Sequence, residues 1–333
     1  MKKVLGIAGL LLAVAVATTF LSFDPRSGHY TFLGATNLGN LLQRIGMYGL
    51  LSVAAAFVII TGGIDLSIGS VVCVAGCSLS WLLRDHGWSP WLALPAVLLV
   101  AAAIGLWHGL LVVGLRLQPF VVTLCGLMLY RGAVRAFFGD VTLGFGDVDS
   151  LRWLGEGRVD VLGFGVPVQM LLLLGVAALA TLFLGRTVWG RHLFALGRNE
   201  EAARFSGVAT GRLTVLAYVL CSLLSGLGGA LFMLWSGSAG TATFGNFYEL
   251  YAIAGAVLGG VALRGGEGTM LGVVLGASLM QVLSNAINLV ADSNLLEQLI
   301  VGAVILVGAI ADEGLRRLLR RRARARRPTG AQS

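Results

Sequence analysis

Long apolar segments recur along the whole chain, and short polar stretches separate them. Most are close to the roughly 20 residues that a helix needs to cross a bilayer. Because lipid cannot hydrogen-bond to bare backbone, helices are the expected spanning elements. The second and third segments are short, which indicates that one of them can be a partial crossing. We predict ten crossings: Val4–Phe23, Ile45–Thr61, Leu66–Leu83, Trp91–Val113, Phe120–Phe138, Val166–Leu184, Leu213–Ser236, Tyr248–Leu263, Met270–Val290 and Leu295–Ala311.

A polar, glycine-rich stretch, residues 61–70 (TGGIDLSIGS), joins the second and third segments. It places the Asp65 carboxylate at or near bilayer depth, where such a group is costly unless it is paired, hydrogen-bonded or hydrated. Its glycines allow a close backbone approach or a break in a helix. Asp65, Ser67 and Ser70 are of the types that cap a new helix. Two interpretations stay open: a sharp re-entry between membrane helices, or a tight polar turn at the surface.

The composition indicates an all-α polytopic membrane protein. Of 333 residues, 57% are hydrophobic and 12% are charged, and the mean hydropathy is +0.87, values that soluble domains do not show. The 48 glycines against 6 prolines suit helices packed through small residues. The start, Met1–Leu21, also resembles a signal peptide, but its apolar run is long and lacks a small-x-small cleavage site, so we predict a retained first helix.

The charge pattern predicts the orientation. The arginine-rich tail after the last apolar segment predicts a cytoplasmic anchor on anionic membrane lipid, and no nucleic-acid partner is expected. We therefore predict one transmembrane domain, residues 1–315, a basic cytoplasmic tail, residues 316–333, and both termini in the cytoplasm. The inside loops then hold Arg116, Arg186, Arg191, Arg198, Arg204, Arg212 and Arg264.

Two loops are long. Residues 139–165 face outside and are a candidate docking surface for an external partner. Residues 185–212 face inside and contain a predicted short helix with Asn199 as N-cap, Glu200 and Glu201 at its positive end, and Gly207 at its stop. Such a helix can lie on lipid or dock on a protein; its two acidic residues favour the protein. The apolar surface offered to that partner is predicted to comprise Ala202, Ala203 and Phe205.

A faint internal repeat is present. The pair Gly62-Gly63 precedes Gly69, and the pair Gly265-Gly266 precedes Gly272, each time at the start of an apolar segment. Transporter halves often carry glycine-broken segments in matching places. The pattern therefore predicts two pseudo-repeated halves with glycine-broken helices.

Catalysis has little support in the sequence. The only lysines are Lys2 and Lys3, so the chain has no Walker A lysine and cannot be its own P-loop ATPase. No metal-ligand motif occurs, and the four cysteines lie inside apolar segments, as small core residues do. Proton- or sodium-driven transport would want several buried ionisable groups, and few candidates besides Asp65 exist. We therefore predict a non-catalytic chain that binds no metal and takes its energy from elsewhere.

Three amides share one face of the penultimate crossing: Gln281, Asn285 and Asn288, spaced four and three apart. Such amides either bond across helices or line a hydrated path for a polar solute, and both interpretations stay open. Trp107, His108 and Phe120 are further candidates for the path, although ordinary packing explains each of them as well.

Four segments, in order, closely resemble the inner-membrane permeases of bacterial ribose-type (simple sugar) ABC importers. The first is residues 60–70, the signature segment, with Gly62, Gly63, Asp65, Ser67, Gly69 and Ser70. The second comprises Gly109, residues 117–124 (LQPFVVTL) and Arg131-Gly132. The third is residues 195–207 (ALGRNEEAARFSG). The fourth comprises residues 256–260 (AVLGG), Leu263 and Gly265-Gly266 through Gly272.

The resemblance implies an ATP-driven importer in the bacterial inner membrane. Two permease copies, identical or different, pair there, and a periplasmic sugar-binding protein delivers the solute. ATP and Mg²⁺ bind a separate cytoplasmic ATPase, so this chain carries no cofactor. The loop with Asn199, Glu200, Glu201, Ala202, Ala203, Phe205 and Gly207 is similar to the EAA-type element that docks on the ATPase, although no Leu-Pro pair follows Gly207.

Two rival classes stay open: a secondary sugar transporter or facilitator that needs no ATPase, and a membrane scaffold or enzyme. The first predicts uptake without partners, and the second predicts no solute flux. Ribose is the first candidate solute because of the resemblance, and other pentoses, hexoses, deoxysugars or autoinducer-type furanoses fit the same signature.

Overall fold

A computed structural model of the protein describes residues 2–25, 28–145, 151–161 and 163–291, together with positions 299, 302, 303 and 306. Within these residues the fold is almost entirely helical. A short 3-10 turn, Thr31–Leu33, precedes α2. The helices are α1 Lys2–Leu21, α2 Ala35–Ile60, α3 Ile68–Arg84, α4 Pro90–Gly114, α5 Pro119–Phe138, α6 Arg152–Glu156, α7 Val168–Arg186, α8 Val188–Arg198, α9 Glu200–Phe205, α10 Thr210–Ser236, α11 Tyr248–Leu258 and α12 Met270–Ala291.

In the described part of the chain, six short strands form three antiparallel pairs. The pairs are β1 (Phe23–Asp24) with β2 (His29–Tyr30), β3 (Thr142–Gly144) with β6 (Ser238–Gly240), and β4 (Arg158–Val161) with β5 (Phe164–Pro167). The pair β3–β6 joins two segments that are remote in sequence, with Leu143 opposite Ala239. The strands and α6 therefore close one end of the helix bundle, which we call the strand end. The other end carries α8 and α9, and we call it the loop-helix end.

The all-α polytopic prediction is confirmed. Seven of the described helices, α1, α2, α4, α5, α7, α10 and α12, are long and apolar enough to cross a membrane. The helices α3 and α11 are apolar but have only 17 and 11 residues. The predicted tenth crossing, residues 295–311, and the basic tail lie outside the described residues or reach into them only at single positions.

The predicted second crossing begins too late. Helix α2 starts at Ala35, not Ile45, and its 26 residues make it a full span. Its first ten residues are polar enough to look like a loop, but tertiary partners satisfy them: Gln43 Nε2 donates to the Gly155 carbonyl at 2.7 Å. Of the two segments predicted to include a partial crossing, the third is the short one, since α3 has 17 residues, and α11, with 11, is shorter still. The predicted eighth crossing runs to Leu263, whereas α11 ends at Leu258 and a glycine-rich turn follows.

Helix α2 is the centre of the bundle. In its most apolar 18-residue stretch 89% of the residues are buried, whereas in the corresponding stretch of α1 only 6% are. Helices α7, α10, α11 and α12 pack around α2. Several glycines allow this close packing; at Gly46 a side chain would collide with the backbone of Gln169 at the start of α7. Further along both helices Phe57 packs against Phe183, so α2 and α7 run in the same direction, from the strand end to the loop-helix end.

The long outer loop, residues 139–165, is largely structured where it is described. It contains β3, α6, β4 and the first half of β5, and the Gly155 carbonyl receives a hydrogen bond from α2. The loop is thus fixed to the strand end of the central helix. Its role as a docking surface stays a prediction.

Candidate functional site

The signature segment turns back into the bundle where α2 ends. Gly62 adopts a left-handed conformation, φ 86°, which glycine tolerates best. The amide of Gly63 donates to the Val58 carbonyl at 3.1 Å and closes the end of the helix. The chain then runs without regular structure to Ile68, where α3 begins. The segment therefore breaks what would otherwise be a continuous hairpin of two helices.

Asp65 lies inside the protein, with 2% of its surface exposed. Its Oδ1 accepts hydrogen bonds from the amide and the hydroxyl of Ser67, at 2.8 and 2.6 Å. The other oxygen, Oδ2, has no conventional donor among the described residues, and the Cys221 thiol lies beside the carboxylate. Since Ser67 is also fully buried, the interpretation as a surface turn is wrong, and the segment is a re-entry.

The predicted capping of α3 by these side chains is wrong as well. Ser67 is the N-cap residue, but its side chain makes no capping bond, because the hydroxyl donates to Asp65 instead. Asp65 bonds to the Ser67 amide, one residue before the helix, and Ser70 donates to the Ser67 carbonyl at 2.8 Å. These three side chains fix the approach to α3 without capping it, and the Glu249 carboxylate of α11 lies against Gly69 in the first turn of α3.

A group of buried polar side chains from α4, α5 and α10 surrounds the signature segment. The Thr123 hydroxyl lies 3.2 Å from the Ile64 carbonyl, and a side chain at Gly63 would contact the Tyr218 hydroxyl. His108 is 1% exposed, and its Nε2 lies 2.8 Å from the Tyr130 hydroxyl, while Nδ1 has no partner among the described residues. His108 lies six residues before the end of α4, about 9 Å along a helix, so the group lies well inside the bundle.

Three glycine sites that are remote in sequence meet at the loop-helix end. The Gly266 amide donates to the Ile60 carbonyl, the last residue of α2, at 2.8 Å. A side chain at Gly197, near the end of α8, would collide with that carbonyl and with the Gly266 amide. A side chain at Gly265 would collide with the backbone of Gly62 and of Gly197. The resulting backbone junction joins α8 to the start of the signature segment.

This geometry bears on the predicted internal repeat. Gly62-Gly63 connects α2 to α3, whereas Gly265-Gly266 connects α11 to α12, and the two pairs contact each other at one end of the bundle. They are parts of one junction there. The pseudo-repetition of the two halves stays a prediction.

The predicted short helix is confirmed as α9. The Asn199 side chain accepts the Ala202 amide at 3.0 Å, as an N-cap does, and Glu200 and Glu201 occupy the first turn. Gly207, φ 82°, ends the helix, with the Val208 amide bonded to the Ala203 carbonyl at 3.1 Å. This is the closing pattern of a glycine-terminated helix.

One part of the predicted apolar surface of α9 is wrong. Ala203 is only 6% exposed, because it faces the bundle while Ala202 and Phe205, three positions apart, face out. The Phe205 ring is 84% exposed, with the Arg204 guanidinium 5.9 Å from its centroid. The exposed surface of α9 therefore combines an apolar ring with the acidic side chains of Glu200 and Glu201.

The amide face of α12 lies against α2. Asn285 and Asn37 exchange two side-chain hydrogen bonds of 2.8 and 3.2 Å, so Asn285 bonds across helices. Arg44 Nη2 donates to the Ser284 hydroxyl nearby, at 3.3 Å. Gln281 is 2% exposed, and its Oε1, like Oδ1 of Asn288, has no partner among the described residues. These two amides keep both interpretations open.

We expect the Asn37–Asn285 contact to stabilise the packing of α2 against α12. In a double-mutant cycle of Asn37→Ala and Asn285→Ala, the coupling energy should be about 0.5–1.5 kcal/mol. The measurement is the free energy of unfolding in mixed micelles. Asn288→Ala is the matched control and should show no coupling, because the bonds described for Asn37 go to Asn285 and to the Phe32 carbonyl. Zero coupling for Asn37 and Asn285 would contradict the assignment.

The structure does not bring all candidate path residues together. Trp107 and Phe120 are 54% and 49% exposed on the outer side of α4 and α5, and Trp107 lines a groove there with His108 and Tyr130. Helix α4 packs on α3, α5 and α10, whereas α12, which carries the amides, packs on α1, α2, α7 and α11. The candidates therefore form two separate groups.

The candidate site predicted from the sequence left out several buried polar residues around the signature segment. Tyr218 is fully buried, and Glu249, in the first turn of α11, is 7% exposed with Oε2 unpartnered among the described residues. Arg131, in the middle of α5, donates to backbone carbonyls of residues 242 and 244. An arginine inside a predicted crossing could have marked this site in the sequence, since a charged side chain within a membrane span is costly unless it has a partner.

Comparisons with known proteins agree with these features. Residues 37–309 match the family described as branched-chain amino acid transport system / permease component. The ribose import permease protein of Escherichia coli (strain K12) is 34% identical over 307 residues, covering 91% of each chain. The fructose import permease protein of Rhizobium meliloti is 29% identical, covering 86% of this chain and 80% of the relative.

A third relative extends the range of named solutes. The autoinducer 2 import system permease protein of Enterobacter sp. (strain 638) is 34% identical over 320 residues, covering 96% of this chain and 90% of the relative. No solved structure matches the chain. With its broken helices and its sequence relatives, the chain belongs to this permease family and, within it, to the ribose-type, simple-sugar permeases of ABC importers.

Proposed function

We propose that this chain is the subunit that carries a monosaccharide, ribose or a related simple sugar, from a periplasmic binding protein into the cytoplasm. A separate ATPase binds and hydrolyses ATP and docks on α9 and the adjoining end of α8. A second permease copy, identical or different, completes the membrane part. The observation that supports this proposal most directly is the backbone junction of Gly197, Ile60 and Gly266, because it connects the docking helices to the signature segment.

The junction supports a simple mechanism of coupling. Backbone atoms that touch without intervening side chains cannot move far independently, since packed interiors are close to incompressible. A displacement of α8 by the ATPase would therefore move the end of α2 and the turn before α12. The signature segment begins at that point, so its re-entrant course, fixed by Asp65 and Ser67, would change with it.

The charges support an orientation with the loop-helix end in the cytoplasm. Arg186, Arg191, Arg198 and Arg212 lie at this end, at or between the ends of α7, α8, α9 and α10. The strand end carries arginines as well, but three of them are paired with carboxylates: Arg84 with Asp85, Arg135 with Asp140 and Arg152 with Glu156. Basic residues are enriched in cytoplasmic loops. Both termini would then be cytoplasmic if ten crossings are present.

Uptake of radiolabelled ribose into vesicles tests the proposal. The chain is co-expressed with its ATPase and binding protein, and uptake should require ATP on the ATPase side and both partners. Uptake by the chain alone, abolished when the proton gradient is collapsed, would contradict the proposal and favour a secondary transporter. If ribose is not taken up, a panel of other monosaccharides decides whether the solute or the mechanism is wrong.

We expect Glu201→Arg to reduce ATP-driven uptake by at least about tenfold, because like-charge contacts at an interface cost several kcal/mol. Glu201 is exposed on α9, so the folded chain should persist. Uptake and co-purification of the ATPase are the measurements. The control is Asp85→Arg at the strand end, outside the long outer loop, where the exposed Arg84–Asp85 pair of 2.8 Å contributes little. Normal uptake and normal co-purification in Glu201→Arg would place the docking surface elsewhere.

A further inference from the structure

A second segment re-enters the bundle, from the strand end. Residues 237–247, which we call the plug, connect α10 to α11. The plug begins in β6, which pairs with β3, and its Thr241 is fully buried, with the hydroxyl donating to the Gly139 carbonyl at 2.7 Å. It ends just before Tyr248, the first residue of α11, whose ring lies 5.2 Å from that of Tyr48 in the middle of α2. The plug thus reaches about half-way into the bundle.

The tip of the plug contacts the first turn of α3. A side chain at Gly245 would collide with the Gly69 carbonyl, and one at Gly69 would collide with the Gly245 carbonyl and with Glu249. The Cys73 thiol, one turn further along α3, lies 3.6 Å from the Thr241 carbonyl. The plug therefore covers the start of α3, where the signature segment arrives from the opposite end.

Arg131 of α5 holds the plug through two of its carbonyls. Its Nη1 lies 3.1 Å from the Phe244 oxygen and 3.3 Å from the Ala242 oxygen. Irregular backbone at this depth needs donors from the protein, and a guanidinium gives bonds stronger than those of neutral donors. Arg135, one turn further, donates to Asp140 at 2.6 Å, and both side chains are more than half exposed.

Left-handed residues bound the plug. Gly237 has φ 69° at its start, and Phe247 has φ 65° at its end. An L-residue with a side chain is strained in this region, and the Phe247 ring is 51% exposed, so packing does little to hold it. A change of backbone conformation at these two positions would move the plug as a unit and relieve the strain at Phe247.

We propose that the plug closes the solute path at the strand end, and that Arg131 is the positioning residue that holds it closed. The inference rests on the proposed transport function. Whether Arg131 keeps the plug against α3 can be tested without solute, ATP or partner proteins. A failure of that test is therefore distinguishable from a failure of the proposed function.

The native cysteines are the probes. Cys73 lies under the plug, and Cys221 is equally buried but lies in α10 beside Asp65. Alkylation needs a thiolate and hence water at the thiol. The full chain in membrane vesicles is treated with N-ethylmaleimide, and the labelling rate of each cysteine is read by peptide mass spectrometry. The variants are Arg131→Gln, Arg131→Lys and, as the matched control, Arg135→Gln.

We expect Arg131→Gln to raise the labelling rate of Cys73 at least about tenfold, the factor that the loss of a hydrogen bond from a charged donor gives. Cys221 should not change, and Arg135→Gln should affect neither cysteine. Arg131→Lys keeps the charge but loses the planar fork, so its effect on Cys73 should be intermediate. An unchanged Cys73 rate in Arg131→Gln overturns the proposal. Equal increases at Cys73 and Cys221 also overturn it, because Arg131 would then hold the whole bundle.

Discussion

Gly197→Ala should abolish most ATP-driven solute uptake while leaving ATP hydrolysis by the partner ATPase measurable. Gly197 lies in the last turn of α8, and an added Cβ would meet the Ile60 carbonyl and the Gly266 amide. Both are backbone atoms, which cannot rotate away as a side chain would. Overpacking a rigid contact typically costs about 1–3 kcal/mol. We therefore expect uptake to fall by about tenfold or more.

The sign of the change in uptake distinguishes a disturbed junction from a change in the stability of α8. Alanine favours a helix over glycine by about 1 kcal/mol, so by propensity alone Gly197→Ala should help α8. Gly185→Ala in the last turn of α7 is the matched control, because nothing lies within 4 Å of a Cβ at that position. The control should be neutral or slightly stabilising and should keep normal uptake. Normal coupling in Gly197→Ala would show that α8 does not act through the junction.

Asp65→Ala should lower both the thermal stability of the chain and its transport activity. The substitution removes the acceptor of two hydrogen bonds and leaves the buried Ser67 amide without a partner. An orphaned buried donor costs about 1–3 kcal/mol. The apparent melting temperature of the purified chain should fall by several degrees. Uptake should fall as well, because the re-entrant course of the signature segment depends on these bonds.

Two further variants test the cause. Asp65→Asn keeps an acceptor oxygen for the Ser67 amide, so its loss of stability should be smaller than that of Asp65→Ala. Asp85→Ala, at the other end of α3, removes only an exposed pair with Arg84 at 2.8 Å, which contributes about 0–1 kcal/mol. Equal melting temperatures for Asp65→Ala and Asp85→Ala would mean that the Asp65 bonds do not fix the segment.

Parts of the candidate site could be predicted from local sequence. The short helix α9 is an example, since Asn199, Glu201 and Gly207 act within a few residues of one another. The identity of the signature segment is another, because a carboxylate between two apolar segments is unusual wherever it lies. Even here one prediction was wrong, because Asp65 accepts its hydrogen bonds from Ser67 and does not cap α3.

Other parts depend on partners that are remote in sequence. Polar residues at the start of α2 looked like a loop because the partners of Asn37 and Gln43, Asn285 and Gly155, lie more than a hundred residues away. The direction of Ala203 depends on how α9 rests on the bundle, and the role of Arg131 depends on the plug.

The sequence by itself determined that the chain crosses a membrane several times, where most crossings lie and to which family the chain is related. These properties follow from local hydrophobicity and from short contiguous motifs. Only the tertiary structure decided that α2 is the buried centre, that the Asp65 segment re-enters the bundle, and that Gly62, Gly197 and Gly266 meet. The physical reason is that a glycine or a buried polar group acquires its meaning from what it touches, and these contacts join segments that chain proximity does not relate.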